Sequence, residues 1–297
     1  MKRIILAFTF LLTACSQEIP LTSQPFVPTE TTEAALLPEV IVEEATAAVI
    51  ATAVPASTFA YVAPAPLPAG PVAMVALGDS LTQGDGDDTG RGYTVRLLDM
   101  VNAIRPGSTM TNFGQSGWNS DALINGDQGF SGQLERSLGE LQIASAEGRG
   151  AVAFVWIGSN DLWYLYEYGE GTNENDALDA EHFSTNLDVI LTQLRAAGAE
   201  VIIALLDDQT KRPVAINGQA FTSITPDELA RMSLQVTRYN EIISEKAAQY
   251  GALTVDFYST DIFTNPATLY DDGNHPNAAG YDIIAQKWFD TLAVLLN

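Results

Sequence analysis

From residue 72 onward the chain alternates short apolar runs with longer stretches in which apolar residues return every three or four positions. The runs at 72–77, 109–113, 151–157, 201–206 and 253–257 have the length of strands. Those near 151 and 201 are continuous rather than alternating, as in strands covered on both faces. The intervening stretches 93–104, 132–146, 180–197, 226–250 and 277–296 read as helices. The fourth opens on Thr225-Pro226 with Glu228 three residues after Thr225, a helix-start signature. Regular β-α alternation predicts an α/β fold, a doubly wound parallel sheet with helices on both faces. Chemistry then belongs at the carboxyl ends of the strands.

The first 71 residues break this rhythm. Lys2 and Arg3 precede an apolar run too short to span a bilayer, which ends in Leu12-Thr13-Ala14-Cys15. This resembles a bacterial lipoprotein signal, cleaved before a cysteine that is then lipidated. Residues 16–71 hold nine of the 14 prolines and six glutamates, with no Lys or Arg, the composition of an extended spacer. The expected organisation is a signal peptide at 1–14, the lipidated Cys15 and a disordered linker at 15–71, and a catalytic domain at 72–297. The expected location is the bacterial cell envelope, anchored to a membrane through lipid on its periplasmic or extracellular face.

Charge and residue usage narrow the chemistry. Fourteen basic against 37 acidic residues leave a net charge of −23. With no Lys/Arg-rich run, a nucleic-acid partner is not expected. The single cysteine excludes an intrachain disulfide and a Cys-based metal site, and two histidines, His182 and His275, exclude a multi-histidine zinc site. No metal is expected.

Three strand ends and one late loop carry reactive residue types. Gly78-Asp79-Ser80 follows the first strand, where a sharp strand-to-helix turn presents a hydroxyl outward; alone, a Ser there is more often a helix cap. Asn112 to Trp118, with Gly114 and Gly117, follows the second strand, and Gly158-Ser159-Asn160-Asp161 the third. Backbone N–H groups beside glycine and an Asn amide suit a developing oxyanion, although glycine turns and Asn-Asp caps are common. Asp272 stands three residues before His275, close enough to accept the imidazole Nδ1–H.

Taken in order and each after its own strand, these segments make residues 72–297 resemble the GDSL, or SGNH, hydrolase family. Ser80 matches the serine of its first block, Gly117 the glycine of its second, Asn160 the asparagine of its third, and Asp272 with His275 its Asp-x-x-His. The resemblance implies a flavodoxin-like five-stranded sheet and cleavage of carboxylic esters, on a small molecule or a polysaccharide, without cofactor. It implies Ser80, Asp272 and His275 as catalytic residues, and the Ser80 N–H, Gly117 N–H and Asn160 amide as the oxyanion hole. An acyltransferase with the same triad and a catalytically idle surface-binding module are the competing readings. Four weaker signals remain. The stretch 85–90 has the spacing of a calcium loop, but Arg96 stands where such a loop needs Glu, so a solvated acidic loop is expected. His182 is expected at the surface. Trp118, Trp163, Tyr164, Tyr166 and Tyr168 either line an acyl pocket or pack beneath the loops. The long loop 207–225 is a candidate lid.

Overall fold

The computed structural model describes residues 63–296 apart from 170, 219 and 220. Cys15 and most of the proposed linker lie outside the described residues. Five strands, β1 (Val72–Gly78), β2 (Thr109–Asn112), β3 (Gly150–Trp156), β4 (Glu200–Leu205) and β5 (Leu253–Asp256), form one sheet in the order β2-β1-β3-β4-β5. Every pairing is parallel. Strands β1 and β3 are buried along their whole length, which is why they read as unbroken apolar runs.

Helices α1 (Ser80–Gln83) and α2 (Gly92–Ile104) follow β1, and α3 (Ser120–Asn125) and α4 (Gln133–Ala146) follow β2. Helices α5 (Ser159–Tyr168) and α6 (Asn173–Ala196) follow β3, α7 (Pro213–Ile216) and α8 (Pro226–Tyr250) follow β4, and α9 (Ala278–Leu296) closes the chain. Helices α2 and α9 pack together on one side of the sheet, while α4, α6 and α8 cover the other. The strand order reverses direction at β1, between β2 and β3, and a crevice at such a switch point is the usual ligand site of open α/β sheets. No helix among the described residues is long and apolar enough to cross a membrane.

Helix α6 exceeds the periodicity, while α8 keeps the predicted bounds 226–250. Helix α6 starts seven residues before the predicted 180, because Thr172 caps it, its hydroxyl accepting the Asn175 N–H at 3.2 Å. Its first two turns are mostly polar and carry no apolar stripe. The α8 capping box forms as read: Glu228 N–H reaches the Thr225 hydroxyl, and the Glu228 carboxylate accepts the Thr225 N–H at 2.8 Å. Beneath α2 and α9 lies an aromatic cluster in which Trp156 stacks on Phe257 with centroids 4.2 Å apart, and Trp288 meets Tyr93, Phe154 and Trp156.

The expectation of a solvated acidic loop at 85–90 is corrected at Asp87, whose side chain has no solvent exposure. Arg96, at the position that spoiled the calcium-loop pattern, supplies the positive charge: its guanidinium meets Asp87 at 2.5 Å and Asp282 at 2.5 Å. Thr89 and Gly92 N–H groups complete the Asp87 carboxylate's partners. Burial works to raise this carboxyl, but the Arg96 and Thr89 hydrogen bonds prevail and hold it down at about 2. Removing one partner of a buried pair strands the other charge, at roughly 3–5 kcal/mol. Arg96→Leu is therefore expected to lose on the order of 3 kcal/mol of stability, read as a fall in denaturation midpoint. An unchanged midpoint would show that the pair is solvated.

Candidate active site

The corner between β1 and α1 is built for one conformation. Gly78 has φ 157°, and a Cβ there would overlap the Trp156 carbonyl oxygen and the Thr82 hydroxyl, so no other residue fits. Gln133 of α4 clamps the peptides on both sides of this glycine: its Oε1 accepts the Gly78 N–H at 2.7 Å, and its Nε2 donates to the Gly78 carbonyl at 2.8 Å. Asp79 then caps α1, accepting the Leu81 N–H at 2.9 Å, and Ser80 emerges as the helix's first residue. Asp79 is buried, and burial pushes its carboxyl up to about 7 against the pull of the Leu81 N–H and Arg212.

Ser80 Oγ lies 2.9 Å from His275 Nε2, and His275 Nδ1 lies 2.6 Å from Asp272 Oδ2. The Asp272 Oδ1 accepts the backbone N–H groups of Asn274 (2.8 Å) and His275 (2.9 Å). Burial tends to raise Asp272, and the His275 N–H, the His275 ring and the Asn274 N–H outweigh it, holding this carboxyl below its ordinary value. The loop closes on itself through the Leu269–Pro276 bridge and the Tyr270 N–H to His275 carbonyl bond at 2.8 Å.

The other two sequence candidates arrive on neighbouring loops. Gly117 has φ 79°, in the left-handed region, and its carbonyl accepts the Tyr164 hydroxyl at 2.6 Å. Asn160 Nδ2 donates one proton to the Trp118 carbonyl at 2.9 Å, leaving its second N–H for a ligand. The N–H groups of Ser80 and Gly117 have no acceptor among the described residues. All five residues singled out from the sequence thus stand at the carboxyl end of the sheet or in the loop facing it. Of the aromatic residues, Trp118, Trp163 and Tyr166 are buried packing, Tyr168 is exposed, and only Tyr164 reaches the Gly117 peptide.

Three positioning groups had no local signal. Arg212, fully buried, pairs with Asp207 through two hydrogen bonds (2.9 and 2.6 Å), donates to Asn274 Oδ1 at 2.9 Å, and lies over the Phe263 ring. It binds the end of β4 to the loop of Asp272 and His275. The Val214 N–H adds a bond to the Gly273 carbonyl at 3.0 Å. The first half of the candidate lid at 207–225 is therefore a buried brace rather than an open flap. Asp161 accepts the Ser120 N–H (3.0 Å) and hydroxyl, joining the Asn160 helix to the loop after Gly117. Burial pushes its carboxyl up to about 7 despite Ser120. Gln133 is the third. His182 is exposed, its ring 2.8 Å from Asp121.

Residues 76–283 match the GDSL-like Lipase/Acylhydrolase family. The chain belongs to that family. A multidomain esterase of Ruminococcus flavefaciens is 24% identical over 251 residues, 75% of this chain and 29% of that protein, so this GDSL-like chain spans well under half of its relative's length. A psychrotrophic esterase from Pseudoalteromonas sp. superposes with TM-score 0.51 at 18% identity, covering 76% of this chain and 98% of that one. An acetylxylan esterase from Geobacillus stearothermophilus gives TM-score 0.51 at 19% identity, covering 75% and 94%. At such identities the two solved structures share the GDSL-like fold with this chain.

The raised Asp79 carboxyl sets the sign of a pH dependence. The folded protein keeps a proton up to about pH 7 that the unfolded chain releases above about 4. Stability therefore falls as pH rises through that window and levels off above it. Asp79→Asn keeps the cap acceptor and removes the titration, so its melting temperature should decline less than wild type between roughly pH 4 and 7. Asp161 titrates in the same window and leaves part of the slope. Parallel profiles for the two proteins would mean that Asp79 is ionised throughout.

Proposed function

We propose that this chain is an exported serine hydrolase of carboxylic esters. The observation that carries the reading is the continuous hydrogen-bond chain from Ser80 Oγ through His275 to Asp272, at 2.9 and 2.6 Å, placed at the switch point of the sheet. In the proposed reaction Ser80 Oγ attacks the ester carbonyl while His275 Nε2 takes its proton. Asp272 holds the Nδ1–H tautomer and balances the imidazolium. The carbonyl oxygen, now negative, is held by the N–H groups of Ser80 and Gly117 and by the free Asn160 N–H. The alkoxide leaves with the proton from His275, giving an acyl-Ser80 ester. Water, deprotonated by the same imidazole, attacks that ester and releases the acid and Ser80. The Asp272 side chain is 37% exposed, so solvent reaches the triad, which favours water over an alcohol acceptor.

Ser80→Ala is expected to lower kcat on p-nitrophenyl acetate by at least about 10⁴-fold with an unchanged melting temperature. A fluorophosphonate probe should label wild type and not the variant. Turnover within tenfold of wild type in the folded variant would remove Ser80 as nucleophile. Esters from acetate to palmitate, with acetylated xylan alongside, then rank the acyl and alcohol preferences.

Cell-envelope anchoring through a lipidated Cys15 is the second part of the proposal, and it rests on the basic-apolar-cysteine order of residues 2–15. Cys15→Ser should shift the protein out of the membrane fraction, or leave it unprocessed, without altering specific activity. Equal membrane retention of both forms would exclude the anchor.

A further inference from the structure

In a chain this acidic, nearly every cation of the domain is engaged. Eight of its basic side chains meet carboxylates, and Arg105 and Arg238 donate to backbone carbonyls. Arg136 and Lys287 alone have no hydrogen-bonded partner for their side chains among the described residues. Lys287 belongs to α9, away from the site. Arg136 lies in the first turns of α4, its guanidinium 4.7 Å from the centroid of the Phe113 ring, and it lines a cavity of about 490 Å³.

That cavity adjoins the candidate active site. One wall is Gly114 and Gln115, part of the segment that carries Gly117. The Gln115 N–H bonds the Gly78 carbonyl at 3.1 Å and the Ser116 N–H bonds Gln83 Oε1 at 2.6 Å, so the wall is fixed to both ends of the turn that presents Ser80. Phe130, 58% exposed, also lines the cavity. It sits in a tight turn in which the Phe130 N–H bonds the Asp127 carbonyl at 2.9 Å. Gly126 makes that turn possible, since a Cβ there would overlap the Phe130 carbonyl. Ser131 adds a hydroxyl. The neighbouring carboxylates Asp127 and Glu135 do not line the cavity.

An exposed aromatic residue, a guanidinium without a carboxylate partner, and Gln115 and Ser131 in the same lining match a sugar ring bearing a carboxylate. The C–H face of a pyranose lies against an aromatic ring, and guanidinium recognises carboxylate through paired N–H donors. We propose that this groove is a subsite for a uronic acid residue, so that the substrate is an ester on an acidic saccharide. Arg136 binds the carboxylate and Phe130 the ring, while the ester reaches over the Gly114–Gly117 wall to Ser80. The proposal rests on the ester-hydrolase reading and goes beyond it by naming the substrate class.

The test compares acetylated oligogalacturonate with the same oligosaccharide carrying methyl-esterified carboxyls, reading acetate release by the full-length protein. Wild type should prefer the charged form by about tenfold or more in kcat/KM, the ordinary scale of a charge-assisted hydrogen bond. Arg136→Gln should abolish the preference through KM, and Arg136→Lys should keep part of it. Phe130→Ala should weaken both saccharides. All three should turn over p-nitrophenyl acetate like wild type. Equal kcat/KM for the two saccharides in wild type, no acetate release from either, or a preference untouched by Arg136→Gln would overturn the subsite. Loss of p-nitrophenyl acetate turnover in wild type, or its survival in Ser80→Ala, would instead overturn the hydrolase reading.

Discussion

Gly78 has no room for a side chain: a Cβ would overlap the Trp156 carbonyl on one side and the Thr82 hydroxyl on the other. That steric constraint lets β1 end flush against β3 and turn at once into α1, which puts Ser80 beyond the sheet edge rather than inside it. Gln133 converts the tight corner into a fixed one by bonding both the N–H and the carbonyl of Gly78. The Gly78 carbonyl also accepts the Gln115 N–H, so the loop bearing Gly117 is referenced to the same residue. Ser80 and Gly117, the proposed nucleophile and one proposed oxyanion donor, thereby share a single origin of coordinates. This is the kind of preorganisation that positions donors before charge develops.

Electrostatics reinforces that frame in an unusual way for a chain with net charge −23. Exposed carboxylates repel one another, which weakens the compact state, yet two of the few cations, Arg96 and Arg212, are buried. Arg96 joins the loop after α1 to α9, through Asp87 and Asp282. Arg212 joins β4 to the His275 loop, and its positive charge also faces Asp79. Both guanidiniums use several donors at once, the geometry at which Arg exceeds Lys. A buried pair contributes little net stability on its own. Its effect is to specify which loops meet.

The sheet was legible, and the five candidate residues could be picked out, because their signals are local. A covered parallel strand is an apolar run, and the residue types for acyl transfer follow each run within a few positions. What the sequence hid was long-range or featureless. Gln133 lies 55 residues from Gly78, Arg212 62 from Asn274, and Asp161 41 from Ser120. No periodicity links such partners. The first turns of α6 hid because a polar, capped helix end has no apolar stripe, and α5 hid because its aromatic run was weighed only as pocket lining or as packing beneath the loops. Arg96 was read as unfit for a calcium loop, and its positive role needed Asp87 to be seen buried.

The two halves of the site have separate supports. Ser120 and Asp161 tie the Gly117 and Asn160 loops together, and Asn186 extends this link by donating to the Ser120 hydroxyl at 2.8 Å. The Asp272–His275 loop is held instead by Asp207 and Arg212 from the far side of β4. One buried hydrogen bond joins the two braces, from Gln209 Nε2, between Asp207 and Arg212, to the Ser159 carbonyl at 3.0 Å, and the two halves also meet at Ser80. Gln209 therefore couples the support of the Asp272–His275 loop to the first turn of the Asn160 helix, and the β1 corner with Ser80 is the second point at which the two halves find each other.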